Sequence, residues 1–189
     1  MSGKGRCDEM TRYIAFFASM NVGGNRLTMA DLRDVLERED FEDVESVVAS
    51  GNVFFSHESR PSDGLADKLA YVVEDAFGFP TFAAVRNREE LHAAIHDNPF
   101  YGDGDPGLVH TVFLDGQPAP EKFERLLEAY EGRGAERLAL GDRALYVDYV
   151  DGVGNSKLTN AFIERRLGCR GTARNMRSLN RILEKIEAS

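Results

Sequence analysis

The chain has 189 residues, 42% of them hydrophobic and 29% charged, with a formal net charge of −9. That is enough apolar content for one large domain or two small ones. No stretch approaches the roughly 20 apolar residues that span a bilayer, and the acidic balance argues against bulk affinity for nucleic acid or anionic membranes. Residues 1–10 are mostly polar and lack the apolar middle of a secretory signal. They read as a flexible extension, and the protein reads as cytoplasmic. Cys7 and Cys169 have no spacing pattern, which predicts reduced thiols and neither a disulfide frame nor a zinc site.

Residues 13–18 (YIAFFA) are a short apolar run with the character of a buried strand. The loop Asn21-Val22-Gly23-Gly24-Asn25 follows. Thr28 then caps a helix to about residue 39, with Met29, Leu32, Val35 and Leu36 at helical spacing. Residues 44–49 and 53–56 read as strands around the tight turn Ser50-Gly51-Asn52. A helix from Ser62 or Asp63 carries Leu65, Leu69, Val72, Val73 and Ala76 and ends at Gly78. Residues 81–85 form a fourth strand, and Asn87 caps a helix with Leu91 and Ile95 that stops at Asn98-Pro99. Residues 101–107 (YGDGDPG) read as a linker.

After the linker the order repeats. Residues 108–114 are a strand, and 120–130 a helix with Phe123, Leu126 and Leu127 inward. Residues 136–140 and 144–150 form a hairpin around Gly141-Asp142, and 156–167 a helix ended by Gly168. A short strand at 171–173 and a helix over 176–187, with Leu179, Ile182, Leu183 and Ile186 inward, complete the chain. The two halves overlay with an offset near 90, and Arg86-Asn87-x-x-x-Leu91 answers Arg174-Asn175-x-x-x-Leu179 at equivalent strand-to-helix junctions. The expected fold class is therefore α+β: two ferredoxin-like (βαββαβ) halves, residues 11–100 and 108–189, with an extra helix after each.

This topology gathers the polar loops. Asn21, Gly23, Gly24, Ser50 and Asn52 share one end of the first half, where glycine and asparagine leave backbone N–H groups free for a ligand. In the second half, Gly152 and Gly154 precede Ser156 and Lys157 at an expected helix start, a place suited to anions. Arg174 and Asn175 complete the candidate ligand-binding set. The first Arg-Asn copy reads as a capping device alone; the second, in the basic C-terminal segment, is the copy expected to serve function. Residues 157–189 carry net charge +5 and residues 1–156 carry −14. His92 and His96 are four apart on a helix but lack a third ligand at useful spacing, so no metal site is read, no cofactor is implied and no catalytic residue is assigned.

Several segments, in order along the chain, resemble the domain-of-unknown-function family 1697: Tyr13-Ile14-Ala15-Phe16, Asn21-Val22-Gly23-Gly24, Met29-Ala30-Asp31-Leu32, Ser50-Gly51-Asn52-Val53, Asn98-Pro99-Phe100, Ser156-Lys157-Leu158 and Thr172-Ala173-Arg174-Asn175. The resemblance runs from about residue 10 to residue 186. It implies a largely bacterial protein with a two-part α/β fold, and no established activity. Family members usually carry Arg-Gly-Ile where this chain has Ala18-Ser19-Met20, and Trp where it has Met176. The expected function is binding of an anionic small molecule, with or without catalysis. Two alternatives stand beside it: an interaction module that self-associates as a homodimer, and weak nucleic-acid binding through the basic end, against which the net charge argues.

Overall fold

The computed structural model describes residues 9–18, 27–48 and 51–189. In chain order the first half contains β1 (Met10–Ala18), α1 (Met29–Glu37), β2 (Glu42–Ser46), β3 (Asn52–Glu58), α2 (Ser62–Phe77), β4 (Phe82–Asn87) and α3 (Arg88–His96). The second half contains β5 (Val109–Leu114), α4 (Pro120–Tyr130), β6 (Arg137–Gly141), β7 (Ala144–Asp148), α5 (Asn160–Leu167), β8 (Gly171–Asn175) and α6 (Met176–Glu187). These elements build two four-stranded antiparallel sheets, ordered β2-β3-β1-β4 and β6-β7-β5-β8. A two-half α+β repeat accounts for both.

The helix ends follow local chemistry. Thr28 Oγ1 accepts from the Asp31 amide at 3.1 Å and starts α1. Asn87 and Glu90 exchange hydrogen bonds of 2.8 Å each in a capping box that starts α3. Asn175 accepts from the Ser178 amide at 2.9 Å and starts α6. Gly78, at φ 73, ends α2 in the left-handed conformation.

Three expectations need correction. Helix α5 starts at Asn160, not Ser156, because Thr159 takes the cap by accepting from the Phe162 amide at 3.2 Å. The glycine-rich loop before it forms a short 3-10 turn, Val153–Asn155, so Lys157 does not sit in a helical first turn. On α4, Leu127 is 41% exposed, and the inward positions are Leu126 and Tyr130.

The core has three layers. Leu32, Leu36, Leu65 and Leu69 of α1 and α2 pack on one face of the first sheet against Tyr13, Ala15 and Phe55. Leu126, Ile163 and Leu167 of α4 and α5 pack on the far face of the second sheet against Val112 and Val147. Between the sheets lies a layer to which both halves contribute: Ile14, Phe16, Phe54, Leu91 and Ile95 from the first, Phe113, Tyr146, Met176, Leu179 and Ile182 from the second. Phe16 and Phe113 stack at its centre, with ring centroids 4.2 Å apart and planes 10° from parallel. Met176 is buried in this layer, which gives it a packing role.

Because the middle layer belongs to both halves, equilibrium unfolding is expected to be a single transition. Phe16→Ala and Phe113→Ala should each lose about 3–5 kcal/mol in urea denaturation, and the double variant less than the sum, since the rings touch. A second prediction concerns pH. His110 of β5 packs edge-on to Tyr149 at 5.0 Å and donates from Nδ1 to the Leu108 carbonyl at 2.9 Å. Burial outweighs that bond and lowers its pKa below the usual 6.5. The unfolded chain therefore takes up this proton first, so the contribution is present above 6.5 and is lost as pH falls below it. His110→Gln should show a smaller loss of denaturant midpoint than wild type between about pH 7.5 and 5.5.

Candidate functional site

The last residues of β4 and β8 reach across the middle layer. Arg86, opposite Ile14 on β1, donates from Nη2 to the Arg143 carbonyl in the β6–β7 turn at 2.8 Å and from Nη1 to the Val85 carbonyl at 2.8 Å. Its guanidinium lies 5.4 Å from the centre of the Phe113 ring. Arg174, opposite Thr111 on β5, makes the reciprocal reach to the β2–β3 turn, with its guanidinium 5.5 Å from the Phe16 ring. Each arginine leaves its own half, meets the hairpin turn of the other and covers the phenylalanine beside it. The reading of Arg86 as a capping device alone therefore needs correction. Asn87 does the capping; Arg86 is only 3% exposed and joins the halves.

The two copies differ in how many donors the protein satisfies. Arg174 uses all five N–H groups. Nε goes to Asn52 Oδ1 at 2.6 Å, Nη1 to Thr172 Oγ1 and the Ala173 carbonyl at 2.8 Å each, and Nη2 to the Phe17 and Gly51 carbonyls at 3.0 and 3.3 Å. The strand register explains the contrast. Phe16 pairs with Asn52 and Ala84, whereas Phe113 pairs with Ala144 and Thr172. Where Arg174 finds Asn52 and Thr172, Arg86 finds the alanines of the equivalent positions. Arg86 keeps Nε and one N–H on each terminal nitrogen without a protein acceptor among the described residues. Neither arginine has a carboxylate within ion-pair distance among the described residues. Burial pushes both down to about 10, joined for Arg86 by the Arg143 charge, and both stay cationic at neutral pH.

Arg86 lines a groove of about 200 Å³ between the halves. Edge strand β4 and Asp63 and Asp67 of α2 form one wall; Leu114, Asp115, Arg143 and Arg170 form the other. Arg143 donates to Glu90 at 2.7 Å and to Ser62 at 2.9 Å, and Arg170 pairs with Asp115 at 2.8 Å. Of the three arginines, Arg86 alone has no acidic partner within ion-pair distance among the described residues. Sequence reasoning passed over this groove, although one signal was available: an arginine ending an apolar strand (FAAVR), repeated at Arg174, is a charge placed where burial is expected.

The candidate residues separate into groups. Asn52 and Arg174 meet directly, with Asn52 1% exposed. Asn175 turns to its own helix. Ser156 and Lys157 lie on the far side of the second sheet. There Ser156 Oγ donates to Glu136 and accepts from the Leu158 amide at 3.0 Å, while Lys157 is exposed. Asn21, Gly23, Gly24 and Ser50 lie outside the described residues. The basic C-terminal segment is partly neutralised, with Arg170 on Asp115 and Arg177 3.7 Å from Asp105.

The fold and this junction define an α+β protein of two repeated halves locked by crossed arginines. Residues 10–146 match the model of a protein family of unknown function, DUF1697, and the chain belongs to that family. The match ends before Ser156, Lys157, Arg174 and Asn175. A solved structure of a conserved bacterial protein, SP0830 from Streptococcus pneumoniae, superposes with a TM-score of 0.71 at 22% identity, covering 95% of this chain and 99% of that one. That likeness shows the fold. No curated protein matches the chain.

The unequal satisfaction of the two arginines has a measurable result. Arg174→Met strands Asn52 Oδ1, removes a hydrogen bond from the Phe17, Gly51 and Ala173 carbonyls and from Thr172 Oγ1, and should cost about 3–5 kcal/mol. Arg86→Met removes one hydrogen bond from each of two carbonyls, of which the Arg143 carbonyl keeps the Leu114 amide at 2.9 Å, and should cost about 1–3 kcal/mol. Urea denaturation of both variants gives the comparison, and equal losses would contradict the assignment.

Proposed function

We propose that the protein binds a small anionic molecule in the groove between its halves, with Arg86 as the anchor. The observation that carries this reading is a guanidinium 3% exposed, cationic, and provided with three N–H donors that nothing in the described protein accepts. A buried charge without a countercharge is costly, and a carboxylate or phosphate oxygen in the groove would relieve that cost. At about 200 Å³ the groove is smaller than pockets for drug-sized ligands, so the ligand is a compact metabolite. Asp63 and Asp67 on the facing wall suit a ligand that also carries hydroxyl or amino donors. Asn52 and Arg174 serve this site from a distance, by fixing how the halves sit; every donor of Arg174 is already occupied.

Within the same proposal, each half is a ferredoxin-like unit, a reading supported by the βαββαβ order and the strand order β2-β3-β1-β4 with its counterpart. A cytoplasmic location is supported by the sequence's two cysteines, Cys7 and Cys169, which have no disulfide spacing pattern. Among the described residues no helix is long and apolar enough to cross a membrane.

Thermal unfolding of the intact chain against inorganic phosphate, phosphoserine and small hydroxy acids tests the binding reading. At saturation one of these should raise Tm by about 2–4 °C. Arg170→Gln, an exposed change in the groove wall, should weaken the response, and Arg86→Gln should abolish it. A ligand that shifts wild type and Arg86→Gln equally would refute the site, and no shift with any of the probes would refute the reading.

A further inference from the structure

The two sheets end differently on their outer sides. Strand β2 closes the first sheet. It carries Glu42, Asp43 and Glu45, shifts register against β3 between Glu42 and Glu45, and has its Asp43 carbonyl taken by Arg12 Nη1 at 2.8 Å. Charge, a bulge and a covering side chain are the means by which a sheet edge is kept from further pairing. Strand β6 closes the second sheet without them between Leu138 and Leu140. It pairs with β7 in unbroken register from Arg137↔Asp148 to Gly141↔Ala144, and its middle residues, Leu138, Ala139 and Leu140, are uncharged and half-buried.

The pairing fixes which backbone groups of β6 are used. The Leu114 amide donates to the Arg143 carbonyl at 2.9 Å, and the Tyr149 amide to the Leu108 carbonyl at 3.2 Å, so the odd-numbered residues of β7 turn toward β5. Ala144, Tyr146 and Asp148 therefore bond to Gly141, Ala139 and Arg137. Leu138 and Leu140 direct their N–H and C=O groups away from the sheet, and no other backbone group among the described residues takes them. Gln117 donates to the Gly141 carbonyl at 3.3 Å and closes the end of the strand. Beside the open stretch, where α4 ends, lies a pocket of about 400 Å³ whose apolar lining includes Leu127 and Leu138. Leu127 is 41% exposed, so an apolar surface stands next to the two unpaired backbone units.

We propose that β6 takes an extended peptide of another protein as a fifth strand of the second sheet, with one apolar side chain of that peptide in the pocket against Leu127 and Leu138. Outward groups at every second residue match the repeat of a strand; a helix, whose amides are already bonded, would leave them unmet. Charge decides between a foreign peptide and a second copy. The chain carries −9, which opposes pairing with itself, and the charged lining of the pocket is Glu128, Glu131 and Glu136. Arg133 of the same turn lies over the Phe162 ring, 5.6 Å from its centre. The peptide is therefore basic, with lysine or arginine flanking the apolar residue. This surface shares no residue with the anion groove.

Selection of short random peptides displayed on phage against the intact chain tests the proposal, followed by calorimetry with the enriched sequence as a synthetic peptide. Enriched sequences should pair an apolar residue with neighbouring lysine or arginine. N-methylation of one alternate set of the peptide's amides should abolish binding, and methylation of the other set should leave it. Leu140→Pro removes an outward amide that the fold does not use, so Tm should hold while affinity falls about tenfold or more. Leu127→Asn, an exposed change in the pocket, should also weaken the peptide. Absence of an enriched sequence, enrichment of acidic peptides, equal effects of the two methylation sets, or unchanged affinity in Leu140→Pro overturns the proposal. So does a wild-type dimer in sedimentation equilibrium that Leu140→Pro dissociates, because the edge is then taken by a second copy. If Leu140→Pro does not fold, the two methylated peptides decide on the wild-type chain.

Discussion

Two guanidiniums enter the apolar layer of this protein with no carboxylate among the described residues within ion-pair distance, and the rest of the arrangement depends on how their donors are satisfied. Desolvating a cation is costly, and here the compensation comes from oxygens on each arginine's own strand together with carbonyl and amide oxygens at and beside the hairpin turn of the other half. A turn presents such oxygens only at its tip. Arg86 therefore needs the turn at Arg143, and Arg174 needs the turn at Gly51, so each half must lie with its strand end over the hairpin of the other. Gly51 at φ 91 and Arg143 at φ 44 both hold left-handed backbone at these tips. The stacked Phe16 and Phe113 rings then lie between the two arginines and contribute a face to each.

Much of the fold was legible because the apolar patterns are regular and the caps are strong. Asn87, Asn175, Thr28 and Gly78 stop or start helices where their chemistry predicts. The start of α5 was misplaced because Ser156 is also a good cap; its hydroxyl is instead occupied by Glu136, a contact 20 residues away that local pattern does not reveal. Tyr130 was missed as an inward residue, and Leu127 was assigned in its place, since both fit a helical stripe and only the end of α4 decides which is covered.

The candidate site was half legible. Asn52 and Arg174 were singled out as belonging to different halves, and the structure joins them. That the second arginine has every donor occupied within the protein is visible only in three dimensions. A motif shows which side chain is present, but not how many of its donors are already satisfied. Two small side chains, Ala84 and Ala144, leave Arg86 with donors to spare, and alanine in a strand carries no warning of that.

The middle layer has one further meaning. Equivalent residues meet across it: Phe16 with Phe113, and Arg86 with one turn as Arg174 with the other. A contact in which the same patch appears on both partners is the isologous form found in two-fold dimers. In this chain the two patches are carried on one polypeptide and joined through residues 101–107. Fusion makes their effective concentration a property of the chain and not of the solution. It also frees the two copies to differ, since a change on one side is no longer repeated on the other. Symmetry would have required both arginines to be sealed or both left open; a single chain holds one of each.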